Sequence, residues 1–197
     1  MKNILLIMCC IFAVSGCTTT VKRVEVGERI DLSGRWNDYD AQLVAEEMVF
    51  DALDKPWRGK FIDDEGRTPV VIVGSIDNNT SEHINTNVFT ISLERELLNS
   101  GDITFVASLV ERDQIRVERD DQQQGNTDPA TIAAIGREHG ADFMLIGSVD
   151  SVQDVLKNKE VVLYQVSLEL IHLTTNKKVW IGQKQIKKSI KNPRVTF

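Results

Sequence analysis

Few side chains in this 197-residue chain are of a type that does chemistry, and most of them are badly spaced for it. The histidines are His83, His139 and His172. None lies four residues from another metal ligand, and neither H-E-x-x-H nor C-x-x-C occurs. His139 precedes Gly140 at an expected helix end, where a partly charged imidazole suits the dipole. His172 ends an expected strand. His83 falls in a polar loop after the first strand, a place where α/β proteins bind ligands, although a lone loop histidine is ordinarily solvated. The carboxylate pairs Glu46-Glu47, Asp63-Asp64-Glu65 and Asp120-Asp121 point apart or lie in loops, without the burial or partner that splits the pKa values of a catalytic pair. No glycine pattern cradles a phosphate, and no G-x-S-x-G presents a nucleophile. The expectation is no catalytic residue, no metal, no cofactor and no small-molecule substrate.

The cysteines point elsewhere. Cys9 and Cys10 sit in the apolar run Ile4–Val14, behind Lys2, and Cys17 follows the small pair Ser15-Gly16. A positive start, a short apolar run and small residues have the shape of a secretory signal peptide over 1–16. The run is too short to span a bilayer, which takes about 20 apolar residues. Cleavage before Cys17 leaves one cysteine, at the first position of the mature chain, which rules out an intrachain disulfide. Val14-Ser15-Gly16-Cys17 resembles the bacterial lipobox, whose cysteine is diacylglycerated and then N-acylated. By that resemblance Cys17 is the lipidation site. Thr18 after it, in place of the aspartate common in inner-membrane lipoproteins, implies the outer membrane and a periplasm-facing chain. Two or more acyl chains anchor stably where one does not.

The composition, 42% hydrophobic and 26% charged, fits one globular domain. Twenty-nine acids against 23 bases argue against nucleic acid as a partner. Residues 17–31 read as a polar, proline-free tether reaching at most ~50 Å, and 32–197 as the globular domain. Asp38 or Asp40 caps a helix carrying Ala41, Val44, Met48 and Ala52 on one face, and Pro56 stops it. Lys55–Thr68 reads as a loop. Val70–Ile76 is an apolar, β-branched strand. Thr86 caps a helix with Phe89, Leu93 and Leu97 on its stripe and Gly101 after its end. Ile103–Ala107 is a short strand. Ser108-Leu109-Val110-Glu111 is a capping box opening a third helix, Gln122–Thr127 a loop, and Asp128-Pro129 the start of a fourth helix ending at Gly140. Asp142–Val149, Val161–Leu173 and Lys178–Lys188 are strands, the last two joined by a hairpin turn at 174–177. Gly74 and Gly147 read as strand positions that let a helix pack closely. The fold class expected is α/β, mixed α+β: a single domain with a mixed sheet of about five strands ending in an antiparallel hairpin, flanked by about four helices.

Charge segregates late in the chain. No acid follows Glu169, whereas Lys177, Lys178, Lys184, Lys187, Lys188, Lys191 and Arg194 do. A basic edge strand can steer an acidic partner, which makes Lys178 and Lys184 candidate contacts; lysines also blunt an edge against aggregation. Trp180 reads as core.

Taken in order, Arg35–Asp40 (RWNDYD), Val70–Thr80 (VVIVGSIDNNT), Leu97–Phe105 (LLNSGDITF), Ile135–Ser148 (IGREHGADFMLIGS) and Thr175–Trp180 (TNKKVW) resemble the LpoB-type lipoproteins, activators of penicillin-binding proteins. The domain is also similar to the N-terminal domain of TolB and to the curli-secretion lipoprotein CsgG. The resemblance implies an outer-membrane lipoprotein that docks on a class A bifunctional penicillin-binding protein and stimulates glycan polymerisation and cross-linking. It offers Asn78, Asn79 and Thr80 as matched loop positions for partner binding. Enteric members carry a long proline-rich arm; this tether is short. The alternative, a curli-type secretion component or other outer-membrane scaffold, needs membrane-spanning strands of ~9–11 residues. Only Val161–Leu173 and Lys178–Lys188 have that length, and the second is too rich in lysine to face lipid.

Overall fold

A computed structural model describes residues 22–25, 28, 30–136 and 138–191. The expected signal peptide, Cys17, about half of the expected tether and Arg194 lie outside the described residues.

The β-branched run after Pro69 forms β1 (Val70–Asn78), with its first four residues buried on both faces. β1 pairs in parallel with the two-residue β2 (Thr104–Phe105) on one side and with β3 (Phe143–Leu156) on the other. β3, β4 (Lys159–His172) and β5 (Lys178–Lys191) follow as an antiparallel meander, so the mixed sheet runs β2-β1-β3-β4-β5. Along β4 the buried residues Glu160, Val162, Tyr164, Val166, Leu168 and Leu170 alternate with half-exposed ones, as one covered sheet face requires. The covering helices are α1 (Asp38–Asp54), α2 (Trp57–Glu65) and α3 (Thr86–Asn99). Val44, Ala45 and Met48 of α1 join Phe89, Leu93 and Leu97 of α3 in the same core as that β4 face. α4 (Leu109–Asp121) buries none of its side chains.

Among the described residues, five strands and four helices match the expected fold class, but one helix is elsewhere. The segment read as the loop Lys55–Thr68 contains α2. Pro56, taken as a stop, also begins the next helix because its missing N–H costs nothing at a first turn. Gly66 closes α2 in the left-handed region, at φ 66°. Trp57 and Phe61, four apart, turn onto the core, where each meets Phe143 edge-on at 5.0 and 5.2 Å. Conversely, Asp128-Pro129 opens only a single turn, in which Asp128 accepts from the Ala130 and Thr131 amides. Residues 130–136 find no core to bury against, and Gly136 at φ 76° breaks the helical path. His139 is therefore exposed outside any helix. Gln122–Asn126, read as a loop, prolongs α4 as a π-helical turn ending at Gly125.

Caps shift by one residue. Asn37, not Asp38 or Asp40, caps α1, with Asp40 returning the hydrogen bond as a capping box; Asn85 rather than Thr86 caps α3. The Ser108–Glu111 box is formed, and Gly101 stands just past α3 at φ 71°. The two strand glycines admit neighbouring strands rather than helices. A Cβ on Gly147 would collide with the Ser167 carbonyl of β4, and one on Gly74 would lie 2.8 Å from Ile146 Cγ2 of β3, where β1 carries a bulge.

Asp142 fastens the sheet's start. Its carboxylate accepts both Arg67 Nη1 and Nη2 at 2.7 Å and the Val70 amide at 2.9 Å. Burial raises its pKa, but the Arg67 and Val70 bonds outweigh this and hold it below the usual aspartate value. A carboxyl depressed on folding contributes stability above its ordinary pKa of about 4 and loses it as pH falls through the folded value. Asp142→Asn should cost about 1.5 kcal/mol at pH 7, the low end for bonds to a charged group because Arg67 is half-exposed. The difference from the parent should shrink below pH 4, as urea titrations at pH 7 and pH 3 would show.

Candidate functional surface

Two of the five motifs that carried the resemblance, Arg35–Asp40 and Val70–Thr80, converge at the C-terminal end of β1. The loop after Asn78 is built from its own polar side chains. Thr80 N and Oγ1 donate to Asn78 Oδ1 at 3.0 and 2.7 Å, Asn78 Nδ2 donates to the Glu82 carbonyl at 2.8 Å, and the Glu82 amide donates to Thr80 Oγ1 at 3.1 Å. Asn79 Nδ2 reaches Asp150 of β3 at 2.9 Å. Asn78, Asn79 and Thr80 thus shape a rigid turn whose product is the position of Glu82.

Glu82 Oε1 accepts the Tyr164 hydroxyl at 2.6 Å and Arg35 Nη1 at 3.0 Å. Arg35 Nη2 continues to Glu160 Oε1 at 2.8 Å, which also accepts Gln153 Nε2 at 2.5 Å. The Trp36 amide donates to Tyr164 Oη at 3.2 Å, and its indole meets the Tyr164 ring edge-on at 5.6 Å. Burial, and then the hydrogen bond to Glu82, push the Tyr164 hydroxyl far above its ordinary pKa, so it stays a proton donor at any physiological pH. Beside this lies a second cluster. Lys188 Nζ, on the inward face of β5, contacts Asp40 Oδ2 at 2.5 Å, Asp31 Oδ1 at 2.7 Å and the Arg35 carbonyl at 2.9 Å. Together the clusters latch the segment 31–40 across the sheet.

The candidate lysines are less free than their sequence suggests. β5 is an edge strand, as expected. Lys178 is half-exposed but paired with Glu169 Oε2 at 2.6 Å, and Lys184 faces inward to pair with Glu47 of α1. Trp180 is buried, its Nε1 donating to Asp51 at 2.8 Å. His83 is exposed. His172 stacks edge-on against Phe143 and accepts from the Thr175 amide. Among the described residues no cluster of three or more His, Cys, Asp or Glu could hold a metal ion, and no helix is long and apolar enough to cross a membrane. The loop after β1 is thus a turn shaped and rimmed by its own hydrogen-bonding groups. Sequence reasoning missed Glu82, Tyr164 and Lys188. The parity of an amphipathic strand, which puts Tyr164 and Lys188 on the buried face, was the available signal.

The family model described as peptidoglycan-synthase activator LpoB matches residues 40–186. Among solved structures, the chain is similar to the C-terminal domain of LpoB from Salmonella enterica, at 23% identity over 66% of this chain and 93% of that one, with a TM-score of 0.35. The corresponding Escherichia coli domain matches at 21% identity over 75% and 98%, TM-score 0.41. Lipoprotein GNA1162 from Neisseria meningitidis matches at 18% over 66% and 88%, TM-score 0.38. No curated protein matches the chain.

Proposed function

This chain belongs to the LpoB family of peptidoglycan-synthase activators, and from that premise we propose that it is a periplasmic lipoprotein, anchored in the outer membrane through Cys17, that binds and activates a class A penicillin-binding protein. The observation that carries the proposal is the family match, which takes in β1 to β4, most of β5, and Glu82 and Tyr164 of the latch. The signal-like start and the Val14–Cys17 motif support the anchor.

An activator of this kind works by binding one state of its synthase more tightly than another, and by no more than that difference. A surface preset by the Asn78–Thr80 turn and the Glu82–Tyr164–Arg35 latch serves such a role, because ordering it on binding costs little. The test is glycan polymerisation by a class A synthase with and without the chain. Acceleration is expected, and its loss in an Asn79→Ala variant that folds normally would place the contact at this loop. An unchanged rate at saturating chain would overturn the activator reading. The secretion alternative gains no support: beside Val161, Leu163 and Ile181, the outward faces of β4 and β5 carry Gln165, Ser167, Glu169, Gln183, Gln185 and Lys187, more polar groups than a lipid-facing strand presents.

A further inference from the structure

The far end of the β3–β4 ribbon carries apolar residues that the core does not use. Beyond Ser151 every residue of β3 is exposed, yet three of those five are apolar: Val152 at 68%, Val155 at 59% and Leu156 at 72% exposure. The ribbon turns back through Lys157-Asn158, with Leu156 opposite Lys159. At the same end, residues 31–35 line a cleft with Glu160 and residues 187–191, and there Leu32 is 93% exposed.

Cations ring these side chains. Lys157 lies in the turn and Lys159 follows it, Lys191 stands opposite Lys159, and Lys187 opposite Leu163. The ion pairs of β5 are made instead by Lys178, Lys184 and Lys188. The acids of this end are Asp154, which is exposed, Glu160, which is buried and held by Arg35, and Asp31, whose side chain is partly exposed and held by Lys188. Residues 31–35 are also where the segment leading back to Cys17 enters the fold. The fourteen steps from Cys17 to Asp31 reach at most ~50 Å. An apolar tip, a set of lysines and the root of the tether thus share one end of the domain.

We propose that this end docks on an anionic lipid surface, with Leu32, Val152, Val155 and Leu156 entering the interface and Lys157, Lys159, Lys187 and Lys191 facing the headgroups. The proposal rests on the lipid anchor at Cys17. An anchored chain confines the tip near the membrane, so a contact too weak to bind from solution becomes populated. Apolar side chains and lysines are the two contributions that hold a peripheral element at such a surface. Docking keeps the domain close to its anchor, and release lets the tether extend.

The experiment uses the full, processed chain in vesicles of phosphatidylethanolamine and phosphatidylglycerol, with brominated lipid as quencher. A reporter is placed at the tip by Leu156→Trp and at the opposite end by Leu173→Trp, with the parent signal subtracted. The tip reporter should shift to the blue and be quenched, and the Leu173→Trp reporter should not. Combining Lys157→Glu, Lys159→Glu, Lys187→Glu and Lys191→Glu should lower the tip quenching at least about fivefold, the share one lysine contributes near an anionic surface. Tip emission no more quenched than the control overturns the proposal. So does a blue shift without bromolipid quenching, which would mean that protein covers the tip. Intact mass separates the two readings. A chain without added lipid mass at Cys17 defeats the anchor and the docking that rests on it, whereas a lipidated chain whose tip stays unquenched defeats the docking alone.

Discussion

Lys188→Ala should lower the unfolding free energy by about 3–5 kcal/mol, the usual cost of removing one partner from a buried ion pair. The Lys188 side chain is 7% exposed and that of Asp40 6%. Losing the ammonium leaves Asp40 in the interior facing only its capping partner Asn37, and strips Asp31 and the Arg35 carbonyl of the same donor. The destabilisation comes from the uncompensated charge rather than from lost attraction, so Lys188→Met combined with Asp40→Asn should recover most of it. The amide side chain keeps an oxygen for the cap. Urea unfolding of the parent, the Lys188→Ala and Lys188→Met single variants and the double variant decides the matter. A single variant within 1 kcal/mol of the parent would show that water reaches the pair.

A comparable loss, again about 3–5 kcal/mol, is expected for Phe143→Ala. Phe143 is 1% exposed and is the shared partner of Trp57, Phe61 and His172, each edge-on near 5 Å. Truncation removes the ring and leaves a cavity that α2, a nine-residue helix with two buried side chains, partly fills by sinking. The penalty for Trp57→Ala should therefore fall in the Phe143→Ala background, giving a coupling of about 0.5 kcal/mol or more in a double-mutant cycle. Strict additivity would mean that α2 does not follow the ring.

The strands and the stripes of α1 and α3 were legible because their periods are long enough to repeat. Val70–Ile76 is apolar almost throughout, as a strand buried on both faces must be. Phe89, Leu93 and Leu97 recur at helical spacing. α2 was not legible: two buried residues in nine make no stripe, and Pro56 signals an end as readily as a beginning. The missing helix after Pro129 is the converse error, a good cap without an apolar face to hold the next turns. The second half of β3 escaped because its Ser-Val-Gln-Asp run has no buried parity to read. Of the candidate surface, the Asn78–Thr80 loop was visible as a motif. The latch was not, because Arg35, Glu82, Tyr164 and Lys188 lie far apart in sequence and their meeting depends on the meander's register.

That distance bears on the order in which the chain can assemble. α1 leaves the ribosome early, but the counter-charge of its cap carboxylate and the indole that donates to Asp51 belong to β5, made more than 120 residues later. β3, β4 and β5 close only short loops on one another and can zip as they appear. The stripes of α1 and α3 can meet each other and the β4 face earlier, but the ion pair of Asp40 and the hydrogen bond from the indole to Asp51 wait for the last strand. A chain ending before Lys178 would therefore keep the packing of α1 on α3 but leave the Asp40 carboxylate without Lys188 and Asp51 without the Trp180 indole.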